Sequence, residues 1–271
     1  MLGIKFFEIG ALHIEFYTFF NVLGFFALLA YNLTQKKEKL LNMSFISGRI
    51  LESRSNSQGF IWLIFFLETF ALSAVQFFPG VAFNKLFGIL TTDGADNYFG
   101  FAYFGAIPLF LFCLIFRIRP LKQIDLYTPG YPASLILFKL ACAFGGCCYG
   151  KEAEHGLLSM DRARVEVPIQ FIEMGVAILI LVLLIVVRKK IKTGGMFPLY
   201  LTLYSATRFV TEFWRDDFPA IAGRLTEYHF MCLIGVVIGV VLFVLMWFKG
   251  DKLDDFLSRP IKKKETLPEN S

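Results

Sequence analysis

Tyr204-Ser-Ala-Thr-Arg208-Phe-Val-Thr-Glu212-Phe-Trp-Arg215 is the stretch that decides how the chain is read. Arg208, Glu212 and Arg215 stand at i, i+4 and i+7, so they share one face of a helix. The apolar run 196–214 around them is long enough to cross a hydrocarbon core about 30 Å thick. Ionisable groups at that depth are costly and need a reason, of which a buried ion pair is the plainest.

Working outward, 56% apolar residues and a mean hydropathy of +0.60 put the chain outside the soluble globular class. Apolar runs at 14–31, 60–78, 98–116, 131–148, 168–187, 196–214 and 230–248 predict an all-α integral membrane protein with seven transmembrane helices. Residues 1–271 then form a single transmembrane domain, closed by a polar tail at 249–271. Of the 27 Lys and Arg residues, 18 fall in segments 32–59, 117–130, 188–195 and 249–271, 7 in the opposite segments, and Lys139 and Arg208 within spans. The positive-inside rule therefore puts the N-terminus outside and the C-terminus in the cytoplasm. The net charge of +5 is a topology signal, and no nucleic-acid partner is expected.

Lys5 and Glu8 near the N-terminus, with no small-residue cleavage motif after the first run, argue against a cleaved signal peptide. In the first span, Tyr17 fits either an interfacial anchor or a ligand contact. Glu68 and Lys139, both near mid-depth by count, fit either a structural ion pair or a functional Lys lining a cavity. Gly145-Gly146 fits close helix approach or a break that lets backbone line a cavity. The segment 151–167 is too short to be a domain. In the fifth span Gln170 and Glu173 share a face, and Glu173 lies as deep from the outer end as Arg208 does in the sixth, so the two can meet. The seventh span carries no charge and reads as scaffold.

Familiar catalytic patterns are missing: the sequence has no Gly-x-Ser-x-Gly elbow, no phosphate-cradling glycine loop and no His-Glu-x-x-His pair. Cys142, Cys147, Cys148 and His155 do not have the spacing of a known ligand pair, so neither a metal nor a cofactor is expected. Five cysteines, mostly within spans, give no disulfide framework. What remains is Tyr17, Lys139, Gln170, Glu173, Arg208, Glu212 and Arg215. Two Arg and a Lys around an outward-opening cavity suit an anionic lipid headgroup, because guanidinium offers two-handed hydrogen bonds to phosphate.

Four motifs, in order, then carry a resemblance. The 204–215 stretch looks like the sixth-span signature of the prolipoprotein diacylglyceryl transferase family. Ile14-Glu-Phe-Tyr17 resembles its first-span Tyr motif, and Phe144-Gly-Gly-Cys-Cys-Tyr-Gly150 its Gly-Cys-Cys-Tyr-Gly variant. Val167-Pro-Ile-Gln-Phe-Ile-Glu173 resembles its His-Pro-Ser/Thr-Gln-Leu-Tyr-Glu element. The likeness is clearest over about residues 100–215. It implies transfer of the diacylglyceryl group of phosphatidylglycerol to the lipobox cysteine thiol in a prolipoprotein signal peptide, at the bacterial inner membrane, from a site open to the outer face and to membrane lipids.

By the same resemblance Arg208, Tyr17, Lys139 and Glu212 are catalytic, while Gln170, Glu173, Tyr204, Arg215, Gly146 and Gly150 bind substrate. Two elements differ from the family pattern. Its His-Gly-Gly-Leu falls at about Gly100-Phe-Ala-Tyr103, without the His, and the first Arg of its Gly-Arg-x-Gly-Asn falls at Lys139, with Ala141-Cys142 after it. Those differences leave an altered acceptor, or an inactive homologue that binds anionic lipid or a lipidated partner, as the alternatives to ordinary transfer. His155 is either a base reaching in from the outer loop or a solvated side chain.

Overall fold

The computed structural model describes residues 6–9, 12–34, 66–67, 69–78, 82, 99–115, 119–159, 163–216 and 225–258. Most of them are helical. In chain order the helices are α1 (Phe16–Thr34), α2 (Thr69–Phe78), α3 (Phe99–Phe104), α4 (Ala106–Ile115), α5 (Pro120–Tyr127), α6 (Gly130–Gly145), α7 (Ile169–Val187), α8 (Met196–Glu212) and α9 (Glu227–Ser258). Glu68 lies outside the described residues, as do residues 60–65 of the expected span 60–78.

The all-helical expectation needs correcting at two hairpins. Strands β1 (Phe6–Ile9) and β2 (Leu12–Glu15) pair antiparallel just before α1. Strands β3 (Glu152–Ser159) and β4 (Arg164–Glu166) pair between α6 and α7, with an irregularity between Glu152 and Leu157. The described strands between α6 and α7 thus pair with each other, which satisfies their backbone groups where no helix is available.

Helix α1 packs along α6, and from there the helices pack as neighbours in sequence, α6 along α7, α7 along α8 and α8 along α9. Rings align the core: Phe101 lies 5.1 Å from Tyr131, Tyr131 stacks on Tyr200 at 5.3 Å, and Tyr200 stacks on Tyr204 at 5.9 Å. That column fixes the rotation of α8, because Tyr200, Tyr204 and Arg208 repeat every fourth residue along one face. On the opposite side Gly235 and Gly239 let α9 approach α8; a Cβ on Gly239 would stand 2.3 Å from Thr202 Oγ1 and 2.9 Å from its backbone nitrogen. The spacing is that of small-residue helix packing in membranes.

Outward faces are apolar and inward faces carry charge, the reverse of a water-soluble bundle. Leu179 and Val186 on α7 and Val237 and Phe248 on α9 are 61–74% exposed, whereas Lys139, Glu173, Arg208 and Glu212 are buried. Among the described residues, α7 and α9 are long and apolar enough to cross a membrane. A continuous apolar exterior of this kind calls for lipid or another apolar cover.

Helix α9 also runs ten residues past the expected span end at 248, into the segment read as a polar tail. Asp254 is buried there and accepts the Leu121 amide proton at 2.9 Å, and Asp251 accepts from Thr193 Oγ1 at 2.6 Å. These carboxylates dock the helix end onto α5 and the α7–α8 turn, which hydropathy alone does not register.

Candidate functional site

The α6, α7 and α8 faces converge on one carboxylate. Glu173 pairs through Oε2 with Lys139 Nζ, and through Oε1 accepts from Arg208 Nη1 at 2.9 Å and Thr211 Oγ1 at 3.1 Å. Arg215 Nη1 stands 3.5 Å from Glu173 Oε2. A second carboxylate braces the guanidinium groups: Glu212 Oε2 lies 2.7 Å from Arg208 Nη2 and 3.8 Å from Arg215 Nε. All five charged side chains are between 1% and 9% exposed. The depth match between Glu173 and Arg208 therefore becomes a direct contact. Lys139, which the sequence left between a Glu68 pair and a cavity role, has Glu173 as its carboxylate partner.

The cluster is larger than a single ion pair. Among the described residues it joins Lys139, Arg208 and Arg215 to Glu173 and Glu212.

A narrow cleft of about 20 Å³ opens onto the cluster. Leu135, Val176 and Ile180 line one part of it, while Lys139, Glu173, Tyr204, Thr207, Arg208 and Thr211 line the other. One part of its lining is thus apolar and the other polar and charged.

Arg215 reaches the cluster although α8 ends at Glu212. Residues 213–216 turn back, and an isolated β-bridge pairs Arg215 with Gly150. Lys151 N–H donates to the Trp214 carbonyl at 2.8 Å, and Asp216 N–H to the Tyr149 carbonyl at 3.1 Å. Gly150 is required by close approach: a Cβ there would stand 2.1 Å from the Val167 carbonyl oxygen. The bridge is held from outside by Arg164, which pairs with Glu166 and with Asp216, each at 2.6 Å. Those two carboxylates hold the Arg164 guanidinium above its ordinary pKa.

Gly146 ends α6 in the left-handed region at φ 67°, and Cβ space at Gly145 is open. Of the two uses foreseen for this glycine pair, the break is the one adopted. It turns the Cys147 carbonyl toward Gln170, whose Nε2 donates to it at 2.7 Å. Gln170 therefore fixes the loop.

Tyr17 lies in the first turn of α1, and its side chain lies outside the described residues. His155 is exposed on β3. Tyr103, at the position where the resemblance expects the His-Gly-Gly-Leu element, hydrogen-bonds Ser205 Oγ and donates to the Met231 carbonyl, both at 3.0 Å, tying α3 to α8 and α9.

Sequence reasoning passed over a further chain of groups. Thr226 Oγ1 donates to Glu212 Oε1 at 3.0 Å, and the Thr226 amide donates to His229 Nδ1 at 3.0 Å. An accepting Nδ1 places the proton of the neutral ring on Nε2. His229 is buried against Phe209 and Phe213. The only sequence signal was a Thr-x-x-His at the start of α9, which reads as an ordinary helix start.

Fold and site together define a helical protein with apolar outer faces and a buried, cation-rich cleft. The sequence matches the family model described as prolipoprotein diacylglyceryl transferase over residues 5–245, and the chain belongs to that family. It is 28% identical over 153 residues to the phosphatidylglycerol--prolipoprotein diacylglyceryl transferase of Clostridium tetani, covering 54% of this chain and 61% of that protein. A second such transferase, from Clostridium perfringens, is 28% identical over 156 residues, covering 55% and 61%. The chain thus spans about three fifths of the length of these two relatives. The Dehalococcoides mccartyi transferase is 26% identical over 275 residues, covering 92% of this chain and 95% of its own.

Proposed function

We propose that this chain transfers the diacylglyceryl group of phosphatidylglycerol to the cysteine thiol of a prolipoprotein, as a seven-span protein of the bacterial inner membrane. Its N-terminus is outside, its C-terminus cytoplasmic, and its cleft opens to the outer face. The observation that carries the reading is the cleft itself, apolar at Leu135, Val176 and Ile180 and cationic at Lys139 and Arg208. A diacyl lipid with a phosphate headgroup meets both requirements at once.

In the transfer, the cysteine sulfur attacks the glyceryl carbon that bears the phosphate ester. A C–S bond forms, the C–O bond breaks, and glycerol phosphate leaves with the electron pair; the thiol proton passes to solvent or to the departing phosphate. Negative charge grows on the phosphate oxygen as that bond opens. Arg208 and Lys139 stabilise it there, in a site where low dielectric strengthens each interaction. Glu173 and Glu212 hold the two guanidinium groups in place before substrate arrives, which lowers the reorganisation needed in the transition state.

Arg215 adds positive field from the Gly150 bridge. Tyr17 and Tyr204 orient the lipid, and Gln170, Gly146 and Gly150 keep the wall of the cleft in shape. Lys139 supplies a point charge where a guanidinium would offer two parallel bonds, so it contributes field more than orientation. Complementation of a strain depleted of its own transferase tests the proposal. Rescue of growth and of lipoprotein modification supports it; a stably inserted chain that restores neither excludes transfer and leaves lipid binding.

A further inference from the structure

We propose that Cys142, Cys147 and Cys148 form a binding site for a thiophilic d10 metal ion, with Zn2+ as its ordinary occupant. The three sulfur atoms all lie within 4.8 Å of one another, and those of Cys142 and Cys148 are 3.5 Å apart. At a Zn–S distance of about 2.3 Å, sulfurs sharing one ion stand roughly 3.8–4.0 Å apart in tetrahedral or trigonal arrangement. The sulfurs therefore need only small side-chain shifts to share an ion. All five cysteines are free thiols, so the set is available.

Spacing in the sequence hid this arrangement, because the turn rather than the helix brings the groups together. Cys142 faces inward from the last turns of α6, and the chain reverses at Gly146. Cys147 N–H then donates back to the Cys142 carbonyl at 3.2 Å, and Cys148 takes φ 58°, in the left-handed region that non-glycine residues rarely adopt. That conformation is strained and is found where the surroundings enforce it. Gln170 enforces this one from α7, by its bond to the Cys147 carbonyl. Cys147 and Cys148 are partly exposed, which gives an ion a way in.

Charge agrees with the proposal. Binding follows M2+ plus three thiols giving a tris-thiolate complex of charge −1 and three protons released to solvent. Lys139 stands at i−3 from Cys142 on the same helix, and Arg215 is bridged to Gly150, two residues beyond Cys148. Soft thiolates select thiophilic ions over Mg2+ or Ca2+. Three protein ligands leave a fourth position for water. The inference does not rest on the lipid-transfer reading.

The test is titration of the purified, reduced full-length protein in detergent with Co2+ alone. One equivalent is expected to give sulfur-to-cobalt charge-transfer absorption, to release protons, and to be displaced by Zn2+. Cys148→Ser should weaken Co2+ binding by more than about 100-fold, since changes outside the ligand set alone cost about 10–100-fold. Cys113→Ser and Cys232→Ser, both buried elsewhere, should leave it unchanged. As a measurement that needs no variant, one equivalent of Zn2+ should slow alkylation of Cys147 and Cys148 in the wild-type protein by roughly tenfold or more. Absent charge-transfer absorption, a band that survives Cys148→Ser, or alkylation equally fast with and without Zn2+ would each overturn the proposal.

Discussion

Replacing Glu173 with Gln removes the carboxylate that Lys139, Arg208 and Arg215 share and makes the cluster more positive by one charge, with the shape of the side chain kept. Each lost pair is worth a few kcal/mol at an effective dielectric near 20, but the three cations also repel one another in the wild type, so the pair terms do not add. Removal of one partner from a buried ion pair costs about 3–5 kcal/mol. At roughly 2–4 °C per kcal/mol for a chain of this size, Tm falls by about 6–20 °C. Thermal unfolding in a zwitterionic detergent reads that shift. The reasoning also fixes its cure: phosphatidylglycerol should recover more of the loss in Glu173→Gln than it adds to the wild type, because the variant's cluster is more cationic, while Glu173→Asp should lose less than Glu173→Gln. A Glu173→Gln protein that melts with the wild type, or whose melting ignores phosphatidylglycerol, would refute the idea that this carboxylate restrains a cationic, anion-accepting site.

Further outcomes follow from other parts of the structure. Gly150→Ala places a Cβ against the Val167 backbone carbonyl, which cannot swing aside; overpacking of about 1–3 kcal/mol and displacement of Arg215 should appear as a lower Tm together with weakened transfer. Thr226→Val leaves Glu212 Oε1 without its hydroxyl donor at a cost of about 1–3 kcal/mol, read by thermal melting, and Thr226→Ser should restore it. Burial raises the Asp125 carboxyl to about 7, with Asp254 and Asp251 pushing the same way, against the Gly194 and Met196 amides that donate to it at 2.5 and 2.9 Å. Because the folded pKa is raised, this group's stabilisation is complete below the unfolded value of 3.8 and is lost as pH rises through about 7. Melting temperature followed across that window should fall in the wild type relative to Asp125→Asn, whose profile lacks the transition.

Much of the site was readable before any geometry. The i, i+4, i+7 spacing of Arg208, Glu212 and Arg215 gave one face, and the depth of Glu173 gave its partner; both rest on helical rise and hold wherever helices lie side by side. Legibility stopped where the chain leaves the helix. Arg215 joins the cluster through a bridge to Gly150, Gly146 inverts the chain, and three cysteines meet across that turn, none of which has a period to read. The β3–β4 hairpin was invisible for the same reason, being short and mixed in charge. The docked end of α9 escaped because Asp254 counts as polar in any hydropathy window, yet is buried against the Leu121 amide. Thr226 and His229 were missed because their meaning lies in what Glu212 touches.

The central claim, that the buried cations bind the lipid phosphate and drive its departure, is met most directly by one measurement. Purified wild-type and Arg208→Ala proteins are given phosphatidylglycerol labelled in its acyl chains and a lipobox peptide, and label on the peptide is followed with time. The account predicts thioether-linked label with the wild type and a rate about 10²–10³-fold lower with Arg208→Ala, the usual loss when a transition-state charge contact is removed. A wild-type protein that binds the lipid yet labels no cysteine, or an Arg208→Ala variant that transfers at the wild-type rate, would contradict it.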